Sequence, residues 1–153
     1  AWARRHAPVL VAALGDTAGL GRRGEYPFQR EPLWINPADA KARNLRDGDI
    51  ARVFNDRGAC LAGVHVTDQI RPGVVQLSTG AWYDPDRPGT IGALDKHGNP
   101  NVLTLDKGTS KLAQALAAHS LLVEVERYAG EVPEVTAHQP PVIIDREVLP
   151  AAE

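Results

Sequence analysis

The sequence predicts a mainly β fold with short helices, a β-barrel decorated by helices, and three observations carry that expectation. Short segments of apolar–polar alternation recur along the chain, as in "IARVF", "CLAGVHV", "VVQLS" and "LLVEVERY". The 14 Gly and 12 Pro among 153 residues punctuate these segments at close intervals. Helix signals occur in only two places, and both are short.

Taken in order, "HAPVLVAALGDT" suits a short strand or a helix, and "GLGRRGEYPFQ" reads as a loop. "INPADAKARNL" opens a helix, with Asn36 as N-cap, Pro37 at the first position and Asp39 at the third, ending near Asn44. "RDGD" is a tight turn. "IARVF" and "CLAGVHV" are strands joined by the hairpin connection "NDRGA", in which Gly58 is expected to take a positive φ. "DQIRPG" turns about Pro72-Gly73, and "VVQLS" follows as the third strand. Residues 79–101 form one loop of unusual length, a feature of functional or disordered segments. "VLTL" is expected as a strand, residues 109–118 as a helix and "LLVEVERY" as a single strand. The tail from "AGEVPEV" is expected to run extended over the surface and fray at its end.

There is neither an internal repeat nor a second core. The expected organisation is a divergent N-terminal segment (1–29), one β-barrel domain (30–130) and an extended C-terminal tail (131–153). The chain opens on Ala1 and contains no Met, as expected of a processed chain or a piece of a longer one. A net charge of −2 leaves no electrostatic footprint for nucleic acid or an anionic membrane. No apolar run approaches the roughly 20 residues of a spanning helix. The lone Cys60 excludes an intrachain disulfide and reads as a small core or surface residue.

Catalytic motifs are missing. "DKGTSK" lacks the second glycine of a phosphate loop. "GLGRRG" has the letters of a dinucleotide fingerprint without its strand and acidic partner. The five His and one Cys show no metal-ligand spacing, so no protein metal ligand is expected. Asp84 and Asp86 sit in a Pro-rich loop and read as turn formers. Two loops remain, "STGAWYDP" and "HGNPNVLTLDKGTS". Gly80 and Gly98 allow backbone to approach a ligand, Asn99 and Asn101 match a heterocycle edge, and the amides near Thr109 suit an anion. The same residues serve equally as turn formers and caps, Asp106 and Thr109 among them, and Trp82 equally caps a barrel. The residues alone leave both readings open.

Two long segments, "REPLWINPADAKARNLRDGDIARVFNDRGACLAGVHVTDQIRPGVVQLSTGAWYDP" and "HGNPNVLTLDKGTSKLAQALAAHSLLVEVERY", resemble the C-terminal domain of the dimethyl sulfoxide reductase family. The resemblance is nearest to its trimethylamine-N-oxide, dimethyl sulfoxide and biotin sulfoxide reductases. It implies a double-psi β-barrel that closes over bis-molybdopterin guanine dinucleotide, the molybdenum cofactor. It implies S-oxide or N-oxide reduction by oxygen-atom transfer, with this domain inactive alone and partnered by the remaining catalytic domains. It places Asn101 of "NVLT", the pair Ala118 and His119, and Gly80 and Trp82 of "GAWYDP" at the cofactor. An upstream cofactor-gripping motif of the family is matched only by Arg4 and His6 in "ARRHAPVL", without its Ser and Gln. Family members occur in periplasm and cytoplasm, so the compartment stays open. The alternative is a free-standing double-psi barrel that recognises a protein or ligand without cofactor, since fold does not dictate function.

Overall fold

The computed structural model describes residues 9–11, 29–105, 107–108, 110–112 and 120–140. Seven strands form one sheet: β1 (Val9–Val11), β2 (Pro32–Ile35), β3 (Ile50–Phe54), β4 (Ala59–Val66), β5 (Val74–Leu77), β6 (Ser120–Leu122) and β7 (Glu124–Arg127). Among the described residues the only α-helix is α1 (Pro37–Ala42). The strand order is β6-β1-β5-β2-β4-β3-β7, with β1·β5 and β2·β4 parallel and the other pairs antiparallel.

The two edge strands are neighbours in the chain, separated by Val123 alone. Consecutive Cα atoms are about 3.8 Å apart, so opposite edges of the sheet meet within about 8 Å. A seven-stranded sheet satisfies that only by curling on itself, which makes it barrel-like, as expected. "LLVEVERY" is therefore two strands rather than one. The chain turns the corner at Val123, whose side chain is fully buried. The core inside the curl comprises Leu33, Ile35, Val53, Cys60, Val64, Val75, Leu77, Leu103, Val123 and their neighbours. Cys60 is a core residue, and burial, with a smaller push from Asp95, drives its thiol well above the ordinary range.

The local signals explain most elements. The Asn36 side chain accepts the Ala38 N–H at 3.0 Å and caps α1, Pro37 occupies the first turn, and Ala40 faces the core. The same Asn36 amide donates to Ile70 O at 2.7 Å, and Asp39 Oδ2 accepts from Gly73 N at 2.7 Å, tying α1 to the turn before β5. Gly73 takes φ +79°, as its place in the Pro-Gly turn demands.

Two expectations are corrected. Gly58 does not adopt a positive φ; glycine is needed there because a Cβ would lie 2.5 Å from the Val102 carbonyl oxygen. "VLTL" is no strand: Pro100–Leu103 form a single 3-10 turn. Asn99 caps it by accepting the Asn101 N–H at 2.9 Å, and the Thr104 hydroxyl donates to Asn101 O at 2.9 Å. These local bonds satisfy the backbone before a ladder forms. Leu103 is buried beneath the β3–β4 hairpin, and its carbonyl accepts from Asn55 and Arg57. Of the helix expected over 109–118, only 110–112 are described; they form a bend in which Ser110 Oγ accepts the Leu112 N–H.

Candidate functional site

The two loops singled out in the sequence come together around one carboxylate. Asp95 is fully buried. Its Oδ2 accepts the N–H groups of His97, Gly98 and Asn99 at 3.2, 2.7 and 2.7 Å, while Oδ1 accepts the Asp84 N–H at 2.8 Å. Its own backbone lies beside β4, with Asp95 N donating to Ala59 O and Asp95 O accepting from Leu61 N. The segment 96–101 and the segment 80–85 are thereby hung on the barrel from a single side chain. Burial pushes the Asp95 carboxyl above its ordinary value, against the pull of those four amides.

The loop from Trp82 folds back onto Asp95 through further contacts. Pro85 bridges to Asp95, and the Asp86 side chain accepts the Leu94 N–H at 2.8 Å. His97 donates from Nδ1 to the Trp82 carbonyl at 3.1 Å, the tautomer following from a carbonyl's inability to donate. Asp84 is more than a turn former. Its carboxylate faces the Lys96 ammonium at 3.2 Å, with both side chains no more than 10% exposed. It also accepts from the Thr136 hydroxyl and the backbone N–H groups of Thr136 and Ala137. Burial opposes its charge, but the bonds from Thr136 and Lys96 outweigh that and hold the carboxyl below its usual range. The tail is anchored over 133–138: Arg30 donates to Pro133 O, and His138 packs edge-on against His97 at 5.1 Å and beside Trp82 at 5.5 Å; its end, expected to fray, lies outside the described residues.

This scaffold presents several of the residues picked from the sequence. Asn101 is exposed at the start of the 3-10 turn, and its side-chain amide has no hydrogen-bond partner among the described residues. Trp82 is 62% exposed although its backbone is pinned, which argues against a role as a buried barrel cap. Gly80 is exposed with φ +123°. Gly98 is instead buried at φ +98°, and its missing Cβ makes room for Glu31 and the Leu61 carbonyl rather than for a ligand. Arg4, His6, Ala118 and His119 lie outside the described residues, as do Asp106 and Thr109.

Sequence reasoning missed Asp95, Lys96, Thr136 and Glu31. Asp95 had a local signal, an Asp three residues before a Gly, the pattern of a side chain folding back on following amides. The others had none, because their partners are distant in sequence. Among the described residues no three His, Cys, Asp or Glu side chains converge as a metal-holding group. An open groove of about 580 Å³ beside α1 shares no residue with either loop. The loops present an exposed surface at Gly80, Trp82 and Asn101. Its amide, aromatic face and backbone groups are the donor–acceptor set that a fused heterocycle with a nucleotide tail can use.

The family model described as "Molydopterin dinucleotide binding domain" matches residues 16–122. The chain belongs to this family, and the ligand of the class is a molybdopterin dinucleotide. Within it, the chain is 56% identical over 126 residues to the trimethylamine-N-oxide reductase of Salmonella typhimurium, covering 81% of this chain and 15% of that protein. It is 60% identical over 107 residues to trimethylamine-N-oxide reductase 1 of Escherichia coli K12, covering 70% and 13%. It is 53% identical over 111 residues to the dimethyl sulfoxide/trimethylamine N-oxide reductase of Cereibacter sphaeroides, covering 72% and 14%. The chain therefore spans about one-seventh of the length of these relatives. Acetylene hydratase from Pelobacter acetylenicus shares the fold, with TM-score 0.61 at 15% identity over 83% of this chain and 19% of that one.

Proposed function

We propose that this domain closes over a bis-molybdopterin guanine dinucleotide in a larger molybdenum enzyme that reduces S-oxides or N-oxides. The observation that carries the reading is the pair of loops hung on Asp95, which turns Asn101, Trp82 and Gly80 outward on one ordered scaffold. The cofactor, when bound, supplies two-electron oxygen-atom transfer. The chain's own residues bind, orient and exclude water. The Asn101 amide offers a donor and an acceptor to the pterin edge. Trp82 covers a heterocycle face, and Gly80 lets backbone approach. Ala118, His119, Arg4 and His6 are assigned to the cofactor by family resemblance. Exclusion of water by the remaining domains would strengthen each of these bonds. The binding domain of 30–130 takes strand β1 from the 1–29 segment and an anchor from the 131–153 tail. Residues of this chain supply no metal ligand in this reading, and the domain alone is inactive.

The test uses the full-length protein. Wild type is expected to carry molybdenum and guanine nucleotide and to reduce trimethylamine N-oxide or dimethyl sulfoxide. Asn101→Ala and His119→Ala are expected to lower cofactor content or raise its rate of loss. A full-length protein that folds without molybdenum sinks the reading and leaves the barrel as a recognition module.

A further inference from the structure

Glu31 stands between the two loops. It precedes β2, where its N–H donates to His97 O at 3.0 Å and its carbonyl accepts from Gly63 N at 3.1 Å. The β2·β5 register pairs Leu33 with Leu77, so residue 31 falls opposite residue 79 at the barrel rim, beside the loop that leads to Gly80. On the other side, a Cβ on Gly98 would come within 2.8 Å of the Glu31 Cβ. Gly98 thus lets the second loop pack its backbone directly against the base of this one side chain. The Glu31 carboxyl takes a hydrogen bond from Ser78, and no cation pairs with it among the described residues. A half-buried carboxyl with one hydroxyl partner keeps most of its acceptor capacity unused.

We propose that Glu31 is a cofactor-binding residue whose carboxylate accepts two N–H groups from the 2-amino-4-oxopyrimidine edge of the bound dinucleotide. Pterin and guanine share this edge, a ring N–H next to an exocyclic amine, and a carboxylate is its complementary pair of acceptors. The inference rests on the cofactor reading above. It is supported by the electrostatics. Burial raises the carboxyl to about 7, which disfavours its charged form in the isolated domain. Two donors from a ligand would reverse that bias.

The experiment compares full-length wild type and Glu31→Gln. Molybdenum and acid-released GMP are measured per chain, and cofactor-stripped protein is titrated with two probe pairs. GMP against IMP removes the 2-amino group from guanine; 6-hydroxymethylpterin against 6-hydroxymethyllumazine removes it from pterin. Wild type is expected to prefer the amino compound of one pair by about 10- to 100-fold, and that pair identifies the ring. Glu31→Gln, which keeps one acceptor and adds a donor, is expected to lose the preference and part of its cofactor, while the cofactor-stripped variant melts no lower than cofactor-stripped wild type at pH 8. Full cofactor content with unchanged preference in the variant overturns the inference. So does cofactor loss with intact preference and a lowered melting temperature of the cofactor-stripped variant, which marks a structural role. If wild type itself carries no molybdenum, it is the function proposed above that fails.

Discussion

Single side chains decide how this surface is held. Asp95 accepts four backbone N–H groups from two loops. Asp95→Asn keeps the size but turns an NH₂ toward donors, and is expected to destabilise the domain by about 2–4 kcal/mol. Hydrogen exchange should show lost protection at the amides of 97–99 before the rest of the sheet; unchanged protection would remove Asp95 from its central place. Asp84 has a different pH signature. Its folded carboxyl sits below the ordinary value of 3.8, so its contribution is complete above that value and lost as pH falls through the lower folded value. The stability gap between wild type and Asp84→Asn is expected to be constant from pH 5 to 7 and to shrink below pH 4 in urea titrations. Glu31 has the opposite sign. Its carboxyl is raised from 4.5 to about 7, so its destabilising effect is absent below 4.5 and complete above about 7. Discounted for partial exposure, Glu31→Gln is expected to gain about 1 kcal/mol at pH 8 and nothing at pH 4.

At the scale of elements, the hairpin β3–β4 and the 3-10 turn Pro100–Leu103 lock against each other. The Gly58 position meets the Val102 carbonyl, Asn55 and Arg57 donate to Leu103 O, and Leu103 fills the core. Gly58→Ala is expected to lower stability by about 1–3 kcal/mol, read as a shift in the urea midpoint at constant slope. The same substitution at a glycine needed only for its φ would leave the Val102 segment in place. A shift of Asn101 resonances in Gly58→Ala would therefore report displacement of the candidate site. The hairpin, the Pro37 helix and the Pro-Gly turn were all legible in the sequence, because short-range chemistry decides them. "VLTL" was misread for the opposite reason. Its alternation is that of a strand, but the Asn99 cap and the Thr104 hydroxyl close a local turn first.

Over the whole molecule, the tail returns more than fifty residues later to satisfy Asp84 and to lay His138 against Trp82 and His97. Removing residues 131–153 deletes the Thr136 and Ala137 bonds and uncovers a buried ion pair. Faster trypsin or chymotrypsin cleavage within 82–94 is the expected outcome in the full-length protein, detected by mass spectrometry. An unchanged cleavage rate would show that the tail does not brace the loop.

The sequence by itself determined strands β3, β4 and β5, the capped helix, the two loops and the family, since alternation, caps, turn residues and long motifs are properties of neighbours along the chain; it did not mark Pro32–Ile35 as a strand, and that segment is β2 only through its partners β4 and β5. Only the tertiary structure decided that β6 and β7 take opposite edges of one curled sheet, that Asp95 unites the two loops, that Lys96 and Thr136 enclose Asp84, and that Glu31 lies between the candidate loops. Those contacts join residues separated by up to half the chain. Their energy exists only once the barrel has brought the partners together and excluded the water that would otherwise satisfy them.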